Sequence, residues 1–162
     1  MMDGIYLLLG TNLGDKKKNL KHAIELIKEK TGPVIAFSSI YKTAAWGIED
    51  QPDFFNQVVT INSELDPEEL LNTLHQIEKQ LGRVRKEKWG ARRIDIDILY
   101  YNNQVIDTKN LQVPHPGIAD RRFTLEPLVE LAPDFVHPAL NKTNKRLLDE
   151  CRDDLRVDRL EE

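Results

Sequence analysis

Two aspartates one residue apart, Asp95 and Asp97, follow directly on a stretch from Arg83 to Arg93 that is dense in cations and contains Gly90. In an extended strand, residues i and i+2 share a face roughly 6.6 Å apart, so both carboxylates project together while Ile94, Ile96 and Ile98 point the other way. Adjacent carboxylates on one wall attract hard cations. Mg²⁺ takes carboxylate and phosphate oxygens, and a metal pair about 3.5–4 Å apart suits phosphoryl displacement. The arginines add planar forks that match phosphate oxygens. The spacing therefore predicts a polyphosphate site. The plain alternative is a half-exposed edge strand kept soluble by its acids beside a solvated basic loop. Either half alone fits that alternative better, since short motifs often match by chance. Their adjacency favours the site.

The elements that must position these residues can be read along the chain. Ile5 to Leu9 is a short apolar run closed by Gly10, and Leu20, Ala23, Ile24 and Ile27 then recur at helical spacing. Gly10 and Gly14 invite comparison with a phosphate-binding loop, but Asp15 stands where such a loop needs lysine. Gly32-Pro33 ends the helix, and Val34 to Tyr41 predicts a single second strand. Lys42 to Asp53, with Trp46, Gly47 and Pro52, is a long connection expected to wall a ligand. Phe54 to Leu65 predicts a third strand.

Asp66, Pro67, Glu68 and Glu69 then open a helix with an acidic N-cap and proline at its first position. Leu70, Leu74, Ile77 and Leu81 form its apolar stripe, and Gly82 stops it. Ile94 to Tyr101 is a fourth strand, and Asn102-Asn103 turns into a short strand at Val105-Ile106. The order β-α-β-β-α-β predicts an α+β, ferredoxin-like fold, an antiparallel sheet backed by two helices. Further on, Val113 to Pro116 is expected to be extended and Arg121 to Leu131 helical. The tail from Asn141 is polar, with one amphipathic segment around Leu147, Leu148 and Cys151.

Composition bounds the remaining choices. A length of 162 residues predicts one domain spanning residues 1–162. With 40% hydrophobic and 31% charged residues and a formal charge of −4, the chain reads as soluble and globular, with no bulk affinity for nucleic acid. Its apolar runs are too short to span a bilayer and Asp3 sits where a signal peptide is basic, so a cytoplasmic location without a membrane partner is the default. The one cysteine, Cys151, has no internal partner for a disulfide or a zinc site.

Six blocks of sequence, in order, resemble the 6-hydroxymethyl-7,8-dihydropterin pyrophosphokinase family: Gly10-Thr11-Asn12-Leu13, Asp50 to Asn56, Gly82 to Arg85, Lys88 to Leu99, Val113-Pro114-His115, and Arg121 with Phe123. Such enzymes transfer a diphosphate from ATP to a pterin alcohol in folate biosynthesis and release AMP. The resemblance implies two Mg²⁺ ions bridged by Asp95 and Asp97, with Arg83 and Arg92 meeting phosphate charge from a mobile loop whose closure excludes water. Arg85 and Trp89 are implied as nucleotide contacts on that lid. Glu78, Ile98, Gln112, His115 and Arg121 fall where the family holds ATP. Phe54 and Phe123 are implied to stack on the flat pterin, Asn56 to pair with its mixed donor and acceptor edge, and backbone from Thr43 through Ala44 and Ala45 to Trp46 to read the remaining atoms.

Some positions depart from the pattern: Phe54 replaces a common tyrosine, Asn110 stands where an arginine often contacts ATP, Gln112 replaces a threonine and Pro116 a tyrosine. The implied partners are small molecules only, and the implied enzyme is a monomer.

Two rival functions remain at the level of the sequence. A ferredoxin-like nucleic-acid module is opposed by 7% aromatic content and the negative charge. A metal-dependent nucleotidyltransferase or phosphohydrolase would use the same pair of aspartates. Of the other histidines, His22, His75 and His137 show no metal-ligand spacing and read as surface or core residues.

Overall fold

The computed structural model describes residues 4–44, 53–82 and 94–160. Its centre is an antiparallel sheet. Strand β1 (Ile5–Thr11) lies between β4 (Phe54–Ile61) and β5 (Asp95–Tyr101), and β3 (Tyr41–Thr43) continues the sheet beyond β4. The predicted second strand is two strands, because β2 (Val34–Phe37) and β3 both pair with β4 but are separated at Ser38. The Ser38 hydroxyl oxygen accepts the Val58 N–H at 3.0 Å, so a side chain substitutes for the ladder where the strand breaks. With β2 and β3 counted as one strand, the order is four-one-three-two, the ferredoxin-like arrangement expected from the sequence.

Helices cover both faces rather than one. On face one, α1 (Lys16–Lys30) and α2 (Pro67–Gln80) bury Leu20, Ala23, Ile27, Leu70, Leu74 and Ile77 against Leu7, Leu9, Val59, Ile61, Ile96 and Ile98. Asp66 caps α2 reciprocally with Glu69, and Gly82 takes φ +88 just past the helix end, a conformation easy only for glycine. On face two, α3 (Arg122–Leu131) and α4 (Asn144–Glu150) cover Tyr6, Leu8, Val58, Leu99 and Tyr100. Tyr100 and Phe135 lie with ring centres 4.4 Å apart, and the Tyr100 hydroxyl donates to Asn144 at 2.7 Å.

A bulge in β5 opposite Tyr6 and Leu7 lets Leu99 and Tyr100 both join face two before Tyr101 returns to face one. Strands β6 (Ile106–Asp107) and β7 (Gln112–Val113) form a small separate hairpin. The polar tail contains one more strand than expected: β8 (Val157–Arg159) pairs with β3 and ends the sheet. Among the described residues no helix is long and apolar enough to cross a membrane.

Candidate active site

Register fixes which side chains share a face. Asp97 lies opposite Leu8, whose other neighbour is Val58, and Asp95 lies opposite Gly10, whose other neighbour is Asn56. Asn56 in turn lies opposite Tyr41. Leu8, Val58 and Tyr6 belong to the face-two core, so Asp95, Asp97 and Asn56 stand on that face, Asp97 at the edge of the apolar row of Leu8 and Val58, and Asp95 and Asn56 one row past it. Glycine at position 10 leaves the row open: a Cβ there would come within 3.0 Å of Asn56 Oδ1. The row thus has Asp95 at one end, with Asp97 next to it on the same face of β5, bare backbone in the middle and an amide at the other end.

At the acidic end, Glu78 of α2, Asp95, Asp97, Ile98, Gln112 and His115 line one cavity of about 530 Å³. Ile94, Ile96 and Ile98 face the core, as the alternation predicts. Glu78 is 4% exposed, and its Oε2 accepts the Ile96 N–H at 2.8 Å, tying α2 to the outer edge of β5 between the two aspartates. Opposite them, His115 Nδ1 accepts the Gly117 N–H at 3.0 Å, which puts the proton of the neutral ring on Nε2. Burial pushes the His115 imidazole below its usual 6.5; Asp97 pulls it up and Arg121 pushes it further down. His115, Asp97 and Arg121 are thus within electrostatic reach of one another. The Arg121 guanidinium also lies 5.8 Å from the centre of the Phe123 ring.

At the other end, Asn56 and Thr43 are each 4% exposed, and Asn56 Nδ2 donates to Thr43 Oγ1 at 3.1 Å. Phe54 and Phe123 are half-buried, and Ala44 is exposed. The structure therefore places Asp95 and Asp97 at a cavity that reaches around the edge of β5 to Glu78 and Ile98, and Asn56 with Thr43 as an amide wall farther along the face of the two aspartates. Ala45, Trp46, Arg83, Arg85, Trp89 and Arg92 lie outside the described residues.

The cavity also includes residues that sequence reasoning gave no role: Leu71 and His75 of α2, and Lys109 before β7. Leu71, His75 and Glu78 follow one another at intervals of four and three, a second stripe beside the core stripe of α2. That spacing was the available signal. Lys109 carries none, because its place depends on the β6–β7 hairpin.

The acidic pair suits a magnesium–polyphosphate complex. Both side chains are half-buried with hard oxygen donors, and among the described residues no group of three or more His, Cys, Asp or Glu could hold a metal alone. Two carboxylates leave coordination positions for phosphate oxygens and water, the usual manner of Mg²⁺ binding.

Comparison with known proteins gives a consistent result. The model of the family described as 7,8-dihydro-6-hydroxymethylpterin-pyrophosphokinase matches residues 6–133. A 2-amino-4-hydroxy-6-hydroxymethyldihydropteridine pyrophosphokinase of Aquifex aeolicus is 42% identical over 144 residues, 89% of each chain. The protein of the same name from Bacillus subtilis is 43% identical over 127 residues, 78% of this chain and 76% of that one. Among solved structures, a wild-type Plasmodium falciparum HPPK-DHPS chain with pteroate superposes with a TM-score of 0.77 at 18% identity, covering 91% of this chain and 42% of that longer one. At that identity the likeness establishes the fold alone.

Proposed function

This chain belongs to the 7,8-dihydro-6-hydroxymethylpterin-pyrophosphokinase family, and on that premise we propose that the acidic cavity holds the nucleotide while the amide wall holds the pterin. The enzyme is a pyrophosphokinase of folate biosynthesis, and its family implies ATP as the diphosphate donor. In the reaction the pterin hydroxymethyl oxygen forms a bond to the β-phosphorus as the bond from that phosphorus to the α–β bridging oxygen breaks, releasing AMP.

Asp95 and Asp97 would hold two Mg²⁺ ions together with phosphate oxygens. Bound there, magnesium would neutralise developing charge on the transferring group. His115, with its proton on Nε2, can donate to a phosphate oxygen, and Arg121 beside it adds fixed positive charge. Asn56 presents a donor and an acceptor to the pterin edge from a side chain already braced by Thr43. Gly10 lets the flat ring approach the sheet backbone. Phe54 and Phe123 would stack on the ring, while Thr43, Ala44, Ala45 and Trp46 would meet its remaining atoms. In the same reading Arg83 and Arg92 meet phosphate charge in the transition state, and Glu78, Arg85, Trp89, Ile98 and Gln112 contact nucleotide.

The observation that carries this reading is the shared face: Asp95, Gly10 and Asn56 in register at the end of the sheet, with Asp97 on the same face one row inward. The reading takes the enzyme as a single-domain cytoplasmic monomer acting on small molecules, without nucleic-acid or membrane partners. Incubation with ATP, Mg²⁺ and the dihydropterin alcohol should give AMP and the pterin diphosphate in equal amounts. ADP, free phosphate or pyrophosphate as the coproduct would contradict it and favour the phosphohydrolase or nucleotidyltransferase alternative.

A further inference from the structure

We propose that the C-terminal strand β8 is a positioning element for pterin recognition. The inference rests on the reading that Asn56 and Thr43 meet the pterin. The match to the family model ends at residue 133, so β8 lies beyond the part of the chain that the family defines. The strand nevertheless reaches the amide wall. Tyr41, Lys42 and Thr43 of β3 lie opposite Arg159, Asp158 and Val157, and the Leu160 N–H donates to the Ile40 carbonyl at 2.8 Å. A strand of only three residues with one bare edge is weakly held, because its outward N–H and C=O groups have water as their alternative partner. Strand β8 removes that alternative.

A side-chain junction locks the same contact. From α3, Glu130 Oε1 accepts the Tyr41 hydroxyl at 2.6 Å, and Oε2 accepts the Ser39 N–H at 2.9 Å and the Ser39 hydroxyl at 3.2 Å. Arg159 closes the junction from the tail: its Nε donates to Ser39 Oγ at 3.0 Å and its Nη2 lies 3.8 Å from Glu130 Oε2. The tail therefore holds β3 from outside while α3 holds it from above. Thr43 is the last residue of β3, and its hydroxyl oxygen accepts from Asn56 Nδ2, which sets the direction in which that amide faces. Tail, β3, Thr43 and Asn56 form one chain of contacts. Asp95 and Asp97 lie outside it, since β4 and β1 separate β3 from β5.

That separation makes the proposal testable. An enzyme ending at Arg156 and the single variant Arg159→Ala are compared with wild type. A non-hydrolysable ATP analogue with Mg²⁺ is titrated first, and the pterin is then titrated at saturating analogue. The truncated enzyme should bind pterin about tenfold more weakly, the scale of one lost oriented hydrogen bond in a buried site. Arg159→Ala should show a smaller loss of the same kind, and nucleotide affinity should stay within about twofold of wild type in both. Hydrogen exchange of the amides at positions 41–44 should accelerate in the truncated enzyme.

Equal weakening of both ligands would make the tail a general stabiliser and overturn the proposal, as would unchanged pterin affinity or unchanged exchange at 41–44. Asn56→Ala is the control for the underlying reading. If it weakens pterin binding and the truncation does not, only the role of β8 fails; if it leaves pterin binding unchanged, the placement of the pterin fails with it.

Discussion

Face two of the sheet contains two adjoining rows that differ in everything except their strands. One is the row through Leu8 and Val58, sealed with its neighbours Tyr6 and Tyr100 beneath α3 and α4; the other, through Asp95, Gly10 and Asn56, carries charge, bare backbone and an amide. The strand alternation is the same in both. What differs is the cover: the first row packs against Leu125, Leu128, Phe135 and Leu147, and the second lies past that packing, where the acids line a cavity. The apolar row supplies rigidity through burial, and the polar row spends that rigidity on holding groups that water would otherwise surround. One strand, β5, serves both, with Asp95 in the polar row, Asp97 beside Leu8 at its border and Tyr100 in the sealed core.

If the rows divide their work in this way, substitutions in each should have distinct signatures. The largest effect is expected at Asp97→Ala, which should lower kcat by about two to three orders of magnitude, comparable to the loss of one electrostatic stabiliser in an active site. Thermal stability should change little. Near-normal turnover at saturating Mg²⁺ would remove Asp97 from the chemistry. Three residues along the same strand, Tyr100→Phe should do the reverse. It leaves the buried Asn144 Oδ1 without its hydroxyl donor and should cost about 1–3 kcal/mol of stability by denaturant titration, with kcat and both KM values retained. A fall in kcat without loss of stability would blur the division between the rows.

Within the polar row, Gly10→Ala should raise the KM for pterin about five- to tenfold, because the new methyl group crowds Asn56 Oδ1. ATP affinity should be unchanged; a larger effect on ATP would place the pterin elsewhere. The smallest expected effect is on the pH dependence of stability. Burial lowers the pKa of His115 and His137, so as pH falls the unfolded chain takes up protons before the folded one does. Their contribution is therefore present above about 6.5 and is lost as pH falls through the window beneath it. Urea midpoints at pH 7.5 and 5.5 should differ less in His115→Gln than in wild type, and an identical difference would show that His115 does not titrate on unfolding.

The sequence makes the polar row more legible than its surroundings. Alternation at Ile94 to Ile98 places both aspartates, and strong local signals at Asp66 and Gly82 delimit α2, so the acidic strand and its neighbouring helix can be located without coordinates. The bulge near Leu99 cannot be seen in this way, because four consecutive apolar residues carry no period to reveal which face each one takes. The break at Ser38 is equally hidden, since it depends on a hydroxyl meeting the Val58 N–H from another strand. Strand β8 is lost in a polar tail: three residues are too few to establish alternation, and their pairing with β3 is a tertiary fact. Glu78 shows the same limit. Its heptad-like position marks it as a helix residue near the core, whereas its bond to Ile96 N requires knowing that β5 is an edge strand.

The account depends most on the acidic pair as the seat of the metal–nucleotide complex. The direct measurement is calorimetric titration of Mg²⁺ into enzyme saturated with a non-hydrolysable ATP analogue, for wild type and for Asp95→Asn combined with Asp97→Asn. Wild type should take up two ions per active site beyond those bound by the free analogue, and the double variant should lose that uptake while remaining folded. The same uptake with the same affinity in both proteins would contradict the account.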